Sequence, residues 1–225
     1  MDPLLNTGRG VPVAPKSSLI VLLCRVASPA RSKRETVEGM SALSHTTPQL
    51  PGMTLVLGGA RSGKSSYAEQ LFQCQEGAIC YVATAQAFDA EMEARIAAHR
   101  ARRDSRWQTL EAPLDLEAAL HSAAALKQPI LVDCLTLWLS NLMLAEMDVD
   151  ARVRELLESL TQLDVPLVMV SNEVGLGIVP ENALARAFRD HAGYLNQRLA
   201  AAADQVVFLA AGLPLTLKAP EGDTP

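Results

Sequence analysis

Residues 58–65 read Gly58-Gly59-Ala60-Arg61-Ser62-Gly63-Lys64-Ser65, a G-x-x-x-x-G-K-S spacing. The stretch follows Met53-Thr-Leu-Val-Leu57, a short apolar run with a β-branched centre, and precedes Ser65-Ser-Tyr-Ala-Glu-Gln-Leu-Phe72, which reads as the first turns of a helix. Strand, loop and helix in that order turn a pattern match into a physical proposal. Glycines let the backbone wrap a phosphate chain with its N–H groups pointing inward, and the helix start adds partial positive charge. Lys64 is then expected to reach the β/γ-phosphates and Ser65 to hold Mg²⁺. The bland alternative, a glycine-rich turn with an incidental lysine, does not explain why strand and helix sit where the mechanism needs them. The loop reads as a nucleotide site.

Working outward, strand and helix patterns alternate. Strands are expected at Ala78–Thr84, Trp107–Glu111, Pro129–Cys134, Val165–Ser171, Gln205–Ala210 and Leu215–Lys218. Helices are expected at Asp89–Arg103, Leu114–Leu126, Leu135–Leu144, Ala151–Leu163 and Ala183–Ala203. Continuous apolar strands separated by helices predict an α/β fold, a mainly parallel sheet with helices on both faces, like that of P-loop NTPases. Ligands in such sheets lie at the carboxyl ends of the strands.

The composition, 49% hydrophobic and 20% charged over 225 residues, suits one such domain with additional segments. Charge is uneven: residues 1–50 carry 6 Lys/Arg against 3 Asp/Glu, and the remainder 14 against 22. A domain that acidic argues against general nucleic-acid binding. Cys24, Cys74, Cys80 and Cys134 show no C-x-x-C spacing, and Cys80 and Cys134 fall in apolar runs, as reduced core thiols of a cytoplasmic protein do. No apolar run approaches the roughly 20 residues that span a bilayer. Residues 1–52, with six prolines and scattered basic residues, read as an extension. They are expected to be a disordered tail or to lie upstream of the true start, with Met53 standing directly before the first strand. A signal-peptide reading of Leu19–Cys24 is weakened by the shortness of the run and by Arg25. The domain is expected over 53–218 and a tail over 219–225.

Four further stretches could carry chemistry. Ile130-Leu-Val-Asp133 is an apolar strand ending in an acid, which suits an Mg²⁺-holding aspartate beside the loop; a helix-capping Asp is the alternative. Val82-Ala83-Thr84 ends the second strand, and Thr84 is either at the site edge or a turn cap. Along Asp89–Arg103, Met92, Ile96 and His99 share one face, as a core-facing histidine would. Arg95, His99 and Arg103 lie four apart on an adjacent line, with Arg100 and Arg102 nearby, which suits a neutral, nucleophilic imidazole among phosphate-binding guanidinium groups. Spacing alone leaves those two readings level. Last, Ser171-Asn-Glu-Val-Gly-Leu-Gly-Ile-Val-Pro-Glu-Asn182 is a strand-end loop, either a plain connection or a substrate-binding lid.

Together these stretches resemble the bifunctional adenosylcobinamide kinase/adenosylcobinamide-phosphate guanylyltransferase family of cobalamin biosynthesis. The matching residues are Gly58–Ser65, Tyr81–Thr84, Asp89–Met92 with Arg95-Ile96 and His99-Arg100, Asp133–Thr136 with Asn141-Leu142, Ser171–Asn182, and Asn196–Asp204. The Asn172–Asn182 string is far more specific than the loop, which many unrelated proteins share. The resemblance runs from about Met53 to Lys218.

What the resemblance implies is two transfers on one scaffold. A nucleoside triphosphate, ATP or GTP, phosphorylates the hydroxyl of adenosylcobinamide. A histidine then takes GMP from GTP and passes it to adenosylcobinamide phosphate, giving adenosylcobinamide-GDP. The family's guanylylated histidine falls on His99. Its nucleotide contacts fall on Gly58, Gly59, Ala60, Arg61, Ser62, Gly63, Lys64, Ser65, Val82, Ala83, Thr84, Arg100, Ala101, Arg102, Arg103, Glu111 and Asp133. The resemblance also implies Mg²⁺ at Ser65 and Asp133, and a homo-oligomer.

Two rival functions remain. One is a monofunctional P-loop kinase of a small molecule, with His99 structural, which predicts no covalent nucleotide. The other is a regulatory GTP-binding switch. Against it, Ser171-Asn-Glu-Val174 stands where such a switch carries Asn-Lys-x-Asp.

Overall fold

The computed structural model describes residues 50–86 and 90–220, without the side chains of Glu91, Met92, Arg95 and His99. Most of the N-terminal extension, Cys24, Asp89 and residues 221–225 lie outside the described residues. The elements run β1 (Met53–Gly58), α1 (Lys64–Gln70), β2 (Ile79–Ala83), α2 (Ala90–Ala101), β3 (Trp107–Glu111), α3 (Leu116–Ala125), β4 (Ile130–Asp133), α4 (Leu135–Leu144), α5 (Val149–Leu160), β5 (Leu167–Val170), α6 (Ala183–Ala202), β6 (Gln205–Ala210) and β7 (Leu213–Lys218). The strands form one sheet in the order β3-β2-β4-β5-β1-β6-β7, parallel except for β7.

The expected elements are all present, with ends moved by local chemistry. Helix α5 starts two residues earlier than periodicity suggests, because the Asp148 carboxylate accepts from the Ala151 N–H and caps it. It also ends earlier, since Thr161 and Gln162 donate to carbonyls three residues back and tighten the last turn. Strand β7 begins at Leu213 because Ala211 and Gly212, both at positive φ, form a two-residue hairpin turn that pairs Ala210 with Leu213. Pro214 is tolerated there because β7 is an edge strand.

Alternate residues of the interior strands feed two cores. Leu55, Val82, Ile130, Val132, Leu167 and Met169 pack with α3 to α6, around the fully buried Trp138 and Leu139. Val56, Tyr81, Leu131, Val168, Val170 and Val207 face the other way, onto Ala68 and Phe72 of the α1 segment. This period-two division is the reason the strands read as unbroken apolar runs.

One row of the register positions the site. Glu111, Ala83, Asp133, Val170 and Val56 stand side by side across β3, β2, β4, β5 and β1. Asp133 stands at the end of β4, with β5 between it and the loop-bearing β1. Cys134, assigned to a strand, stands instead at the N-cap of α4 and is buried.

Candidate active site

The backbone of the 58–65 loop is held from behind. The Glu173 N–H donates to Gly58 O (3.0 Å), the Gly212 N–H to Ser62 O (2.9 Å), and the Ser62 N–H to Gly59 O (3.3 Å). The β6–β7 hairpin and the β5 end thus both brace the loop. Gly58 could not be another residue: a Cβ there would stand 2.5 Å from Leu209 O and 2.8 Å from Ser62 Oγ, at φ +150°. Gly63, at φ 97°, caps α1 without any side-chain hydrogen bond. A Gly58→Ala protein is expected to lose about 1–3 kcal/mol of stability from overpacking and strain. Its unfolding midpoint should fall and its nucleotide affinity with it; an unchanged midpoint would contradict this packing.

Above the register row lies a cleft of about 530 Å³. The loop contributes Ala60 through Ser65, the row contributes Glu111, Ala83, Asp133 and Val170, the 96–103 stretch contributes Ile96, Arg100, Arg102 and Arg103, and Tyr81 and Asn172 are among the other lining residues. Lys64 is buried, and its Nζ donates to Gly59 O at 2.6 Å. Burial lowers the pKa of this ammonium, while the Asp133 carboxylate pulls the other way. A phosphate chain arriving here meets a cation already stripped of much of its water.

Asp133 is fixed from two sides. Its Oδ2 accepts from the Tyr81 hydroxyl (3.2 Å), whose ring lies under the Arg103 guanidinium, 3.3 Å from the ring centroid. Burial and the neighbouring Asp133 carboxylate push the Tyr81 phenol well above its usual range, so it stays a proton donor. Behind Asp133, the Thr84 hydroxyl donates to Cys134 O (2.7 Å) and accepts from Cys134 N (2.8 Å). The Asn141 amide donates to Thr84 O (2.8 Å) and Pro113 O (3.0 Å). A further bonded series runs from Cys134 Sγ to Thr136 Oγ1 (2.8 Å); that oxygen accepts from Asn172 N (3.0 Å), and Asn172 O accepts from Asn196 Nδ2 (3.1 Å). The ends of β4 and β5 are thus joined by a part-buried hydrogen bond from Asn172 N to Thr136 Oγ1. The Cys134 and Cys80 thiols are raised by burial, Cys80 to about 11, and both are neutral packing groups, whereas Cys74 is exposed.

The residues expected at a nucleotide separate into two groups. Ala60, Arg61, Ser62, Gly63, Lys64, Ser65, Ala83, Arg100, Arg102, Arg103, Glu111 and Asp133 line the cleft. Gly58 and Gly59 shape the loop from below, Val82 and Thr84 have no exposed surface, and Ala101 is exposed outside the lining. Thr84 is thus a strut beneath the row. Arg100 pairs with Glu111 (3.0 Å), and both are exposed. His99 lies in α2, and its side chain is outside the described residues. Tyr81 and Asn172 carry no local signature as individual site residues; their places in the cleft depend on strand adjacency, which no local pattern reports.

Ser65 and Asp133 are the lining oxygens suited to a divalent ion. Among the described residues no group of three or more His, Cys, Asp or Glu gathers as an all-protein metal cage. A second cleft, of about 600 Å³, opens at the amino ends of the strands. Its two acids are already engaged, Asp164 by Lys127 and Asp204 by the Met53 N–H. No helix among the described residues is long and apolar enough to cross a membrane.

Comparison with known proteins adds the following. A family model described as cobinamide kinase/cobinamide phosphate guanyltransferase matches residues 54–217. The bifunctional adenosylcobalamin biosynthesis protein CobP of Pseudomonas aeruginosa is 51% identical over 166 residues, covering 73% of this chain and 96% of that protein. The bifunctional adenosylcobalamin biosynthesis protein CobU of Salmonella typhimurium is 40% identical over 181 residues, covering 74% and 99%. Among solved structures, a KaiC-like protein from Pyrococcus horikoshii aligns with a TM-score of 0.49 at 12% identity, covering 78% of this chain and 83% of that one.

Proposed function

This chain belongs to the cobinamide kinase/cobinamide phosphate guanyltransferase family, a family of transferases, and we propose that it carries out both transfers in sequence, the second through a GMP-histidine on His99. In the first, the acceptor hydroxyl oxygen of adenosylcobinamide attacks the γ-phosphorus of ATP or GTP. The bond to the β–γ bridging oxygen breaks, the nucleoside diphosphate leaves, and the hydroxyl proton is released. In the second, the His99 imidazole attacks the α-phosphorus of GTP, a P–N bond forms and pyrophosphate leaves. A phosphate oxygen of adenosylcobinamide phosphate then attacks the same phosphorus; the P–N bond breaks, returning its electron pair to the ring, and adenosylcobinamide-GDP forms. Dividing the transfer in this way replaces one difficult displacement with two easier ones.

The observation that carries the reading is the shared cleft, in which Lys64 and Ser65 face Asp133 and three arginines from the 100–103 stretch. Helical spacing puts position 99 on the same face of α2 as Ile96, three residues earlier, which lines that cleft. Lys64 and the arginines are suited to neutralise charge developing on the transferring phosphoryl group. Ser65 and Asp133 are the residues that would hold Mg²⁺, an ion that keeps several waters and takes phosphate oxygens beside one or two protein ligands. When bound, it supplies Lewis-acid neutralisation of the phosphates.

Two collateral readings go with this one. The exposed leucines at alternate positions of edge strand β7, Leu213, Leu215 and Leu217, form an apolar row suited to a second copy of the chain. Sedimentation equilibrium is expected to give an oligomer, and a monomer at assay concentration would remove that reading. The protein is expected to work in the cytoplasm, where its nucleotide substrates are.

The direct test is the intact mass of the protein after incubation with GTP and Mg²⁺. An acid-labile GMP adduct that adenosylcobinamide phosphate discharges as adenosylcobinamide-GDP is the expected result. A folded protein that forms no adduct yet phosphorylates adenosylcobinamide would be a monofunctional kinase.

A further inference from the structure

The strand that separates the loop-bearing β1 from β4 ends in a polar side chain. Val168 and Val170 of β5 point to the face that packs on Ala68 and Phe72 of the α1 segment. Pairing with the loop-bearing chain continues past the strand, from Ser171 N to Val56 O (3.0 Å) and from Glu173 N to Gly58 O (3.0 Å). Alternation therefore carries Asn172 to the face of Val170, and both line the nucleotide cleft with Lys64, Ser65 and Asp133. Side chains from two helices pin the main chain of Asn172. Its N–H donates to Thr136 Oγ1 of α4 (3.0 Å), and its carbonyl accepts from Nδ2 of the buried Asn196 of α6 (3.1 Å). The half-buried side chain is held far less. Nδ2 makes one long contact, to Cys134 Sγ at 3.9 Å, and among the described residues Oδ1 and the second amide N–H have no hydrogen-bond partner.

We propose that the Asn172 amide is a catalytic group of the phosphoryl transfer, donating Nδ2–H to an oxygen of the γ-phosphoryl group as that group passes to the acceptor hydroxyl. The inference rests on the kinase half of the reading given above. A primary amide offers two donors and an acceptor without carrying charge. Lys64 supplies charge to the triphosphate; a neutral donor on a pinned main chain adds direction, which is the preorganised geometry that stabilises a transition state. Oδ1 is left to accept from the attacking hydroxyl and aim it at phosphorus. The amide neither gains nor loses a proton, and the bonds made and broken are those of the kinase step already given. A hydrogen bond that strengthens as the phosphoryl group moves raises kcat more than affinity. In guanylyl transfer the γ-phosphate leaves within pyrophosphate, and the reacting atom is the α-phosphorus, beyond the β-phosphate. A donor at the γ-position contributes little to that step.

The experiment compares Asn172→Ala, Asn172→Asp and wild type in four measurements. These are the kcat and KM of adenosylcobinamide phosphorylation with ATP and with GTP, the calorimetric affinity for a non-hydrolysable analogue of each, the rate of GMP-adduct formation at saturating GTP, and the thermal unfolding midpoint. Asn172→Ala keeps both main-chain hydrogen bonds and loses only the sulfur contact, so its midpoint should stay near that of wild type. Its kinase kcat is expected to fall by about 10²–10³-fold, the cost of removing one preorganised donor. Analogue affinity and adduct formation should stay close to those of wild type. Asn172→Asp keeps the shape and Oδ1 but sets a negative charge where the donor was, and at neutral pH it should not recover the rate. A wild-type kcat in either variant overturns the proposal. So does a kinase loss matched by an equal loss of analogue affinity or of adduct formation, the pattern of a general nucleotide contact or, with a lowered midpoint, of a structural residue. If wild type itself does not phosphorylate adenosylcobinamide, the kinase reading fails first and this inference with it, an outcome distinct from the others.

Discussion

His99→Ala is expected to carry no GMP after incubation with GTP and to make no adenosylcobinamide-GDP, while still phosphorylating adenosylcobinamide. The asymmetry follows from the two reactions. In the kinase step the acceptor hydroxyl is the nucleophile, and Lys64, in its loop, serves the triphosphate. In the guanylyl transfer proposed above the His99 imidazole is the nucleophile, so its removal takes away the group that would carry GMP. Deleting a nucleophile costs on the order of 10⁶-fold where the covalent route is the whole route. The measurement is intact mass beside a radiolabelled kinase assay on one preparation. A His99→Ala protein that still forms an adduct would move the nucleophile to another residue and leave the kinase assignment untouched.

Lys64→Ala should behave differently, depressing both reactions together. Lys64 is buried at the head of α1 within the cleft and already partly desolvated, so its field acts on a bound triphosphate with little screening. In the proposed scheme both steps place a triphosphate on the loop, and removing one preorganised donor of developing charge costs roughly 10²–10³-fold. Alanine keeps the helix propensity and clashes with nothing, so the folded state should survive. Isothermal titration with a non-hydrolysable GTP analogue separates lost binding from lost catalysis. Undiminished turnover in both reactions would mean that the loop is not the triphosphate site. The pair of variants thus distinguishes the nucleotide's resting place from the group that takes GMP from it.

The sequence made the sheet legible because the interior strands are buried on both faces and therefore largely apolar, and because the loop carries its own spacing. The sides of the cleft were less legible. Tyr81 looks like any core aromatic until the register sets Ala83 beside Asp133 and brings the phenol within reach of the carboxylate. Thr84 was read as either a contact or a cap, and a buried threonine bonding to Cys134, fifty residues away, has no local signature. Asp133 reads locally as an acid beside the loop, but that β5 stands between its strand and the loop-bearing one is a property of topology, which no local pattern reports. Glu69 sits in a helix where an acid is ordinary; its ion-pair partners, Arg102 and Arg103, come more than thirty residues later. Local patterns carry elements and loops, while contacts across long sequence separations decide what faces what.

The intervening strand β5 also determines how the site can age. Neighbouring strands lie about 4.7–4.9 Å apart, so one spacer separates the loop-bearing strand from the Asp133 strand by roughly 10 Å. That interval is set by main-chain ladders from β1 to β5 and from β5 to β4, not by the size of any side chain. Substitutions that accumulate in the two cores can alter volume, rotamers and stability, yet they leave this gauge almost unchanged. Descendants of such a chain are free to drift in sequence while inheriting the same separation between the strand that carries the loop and the strand that carries the facing carboxylate.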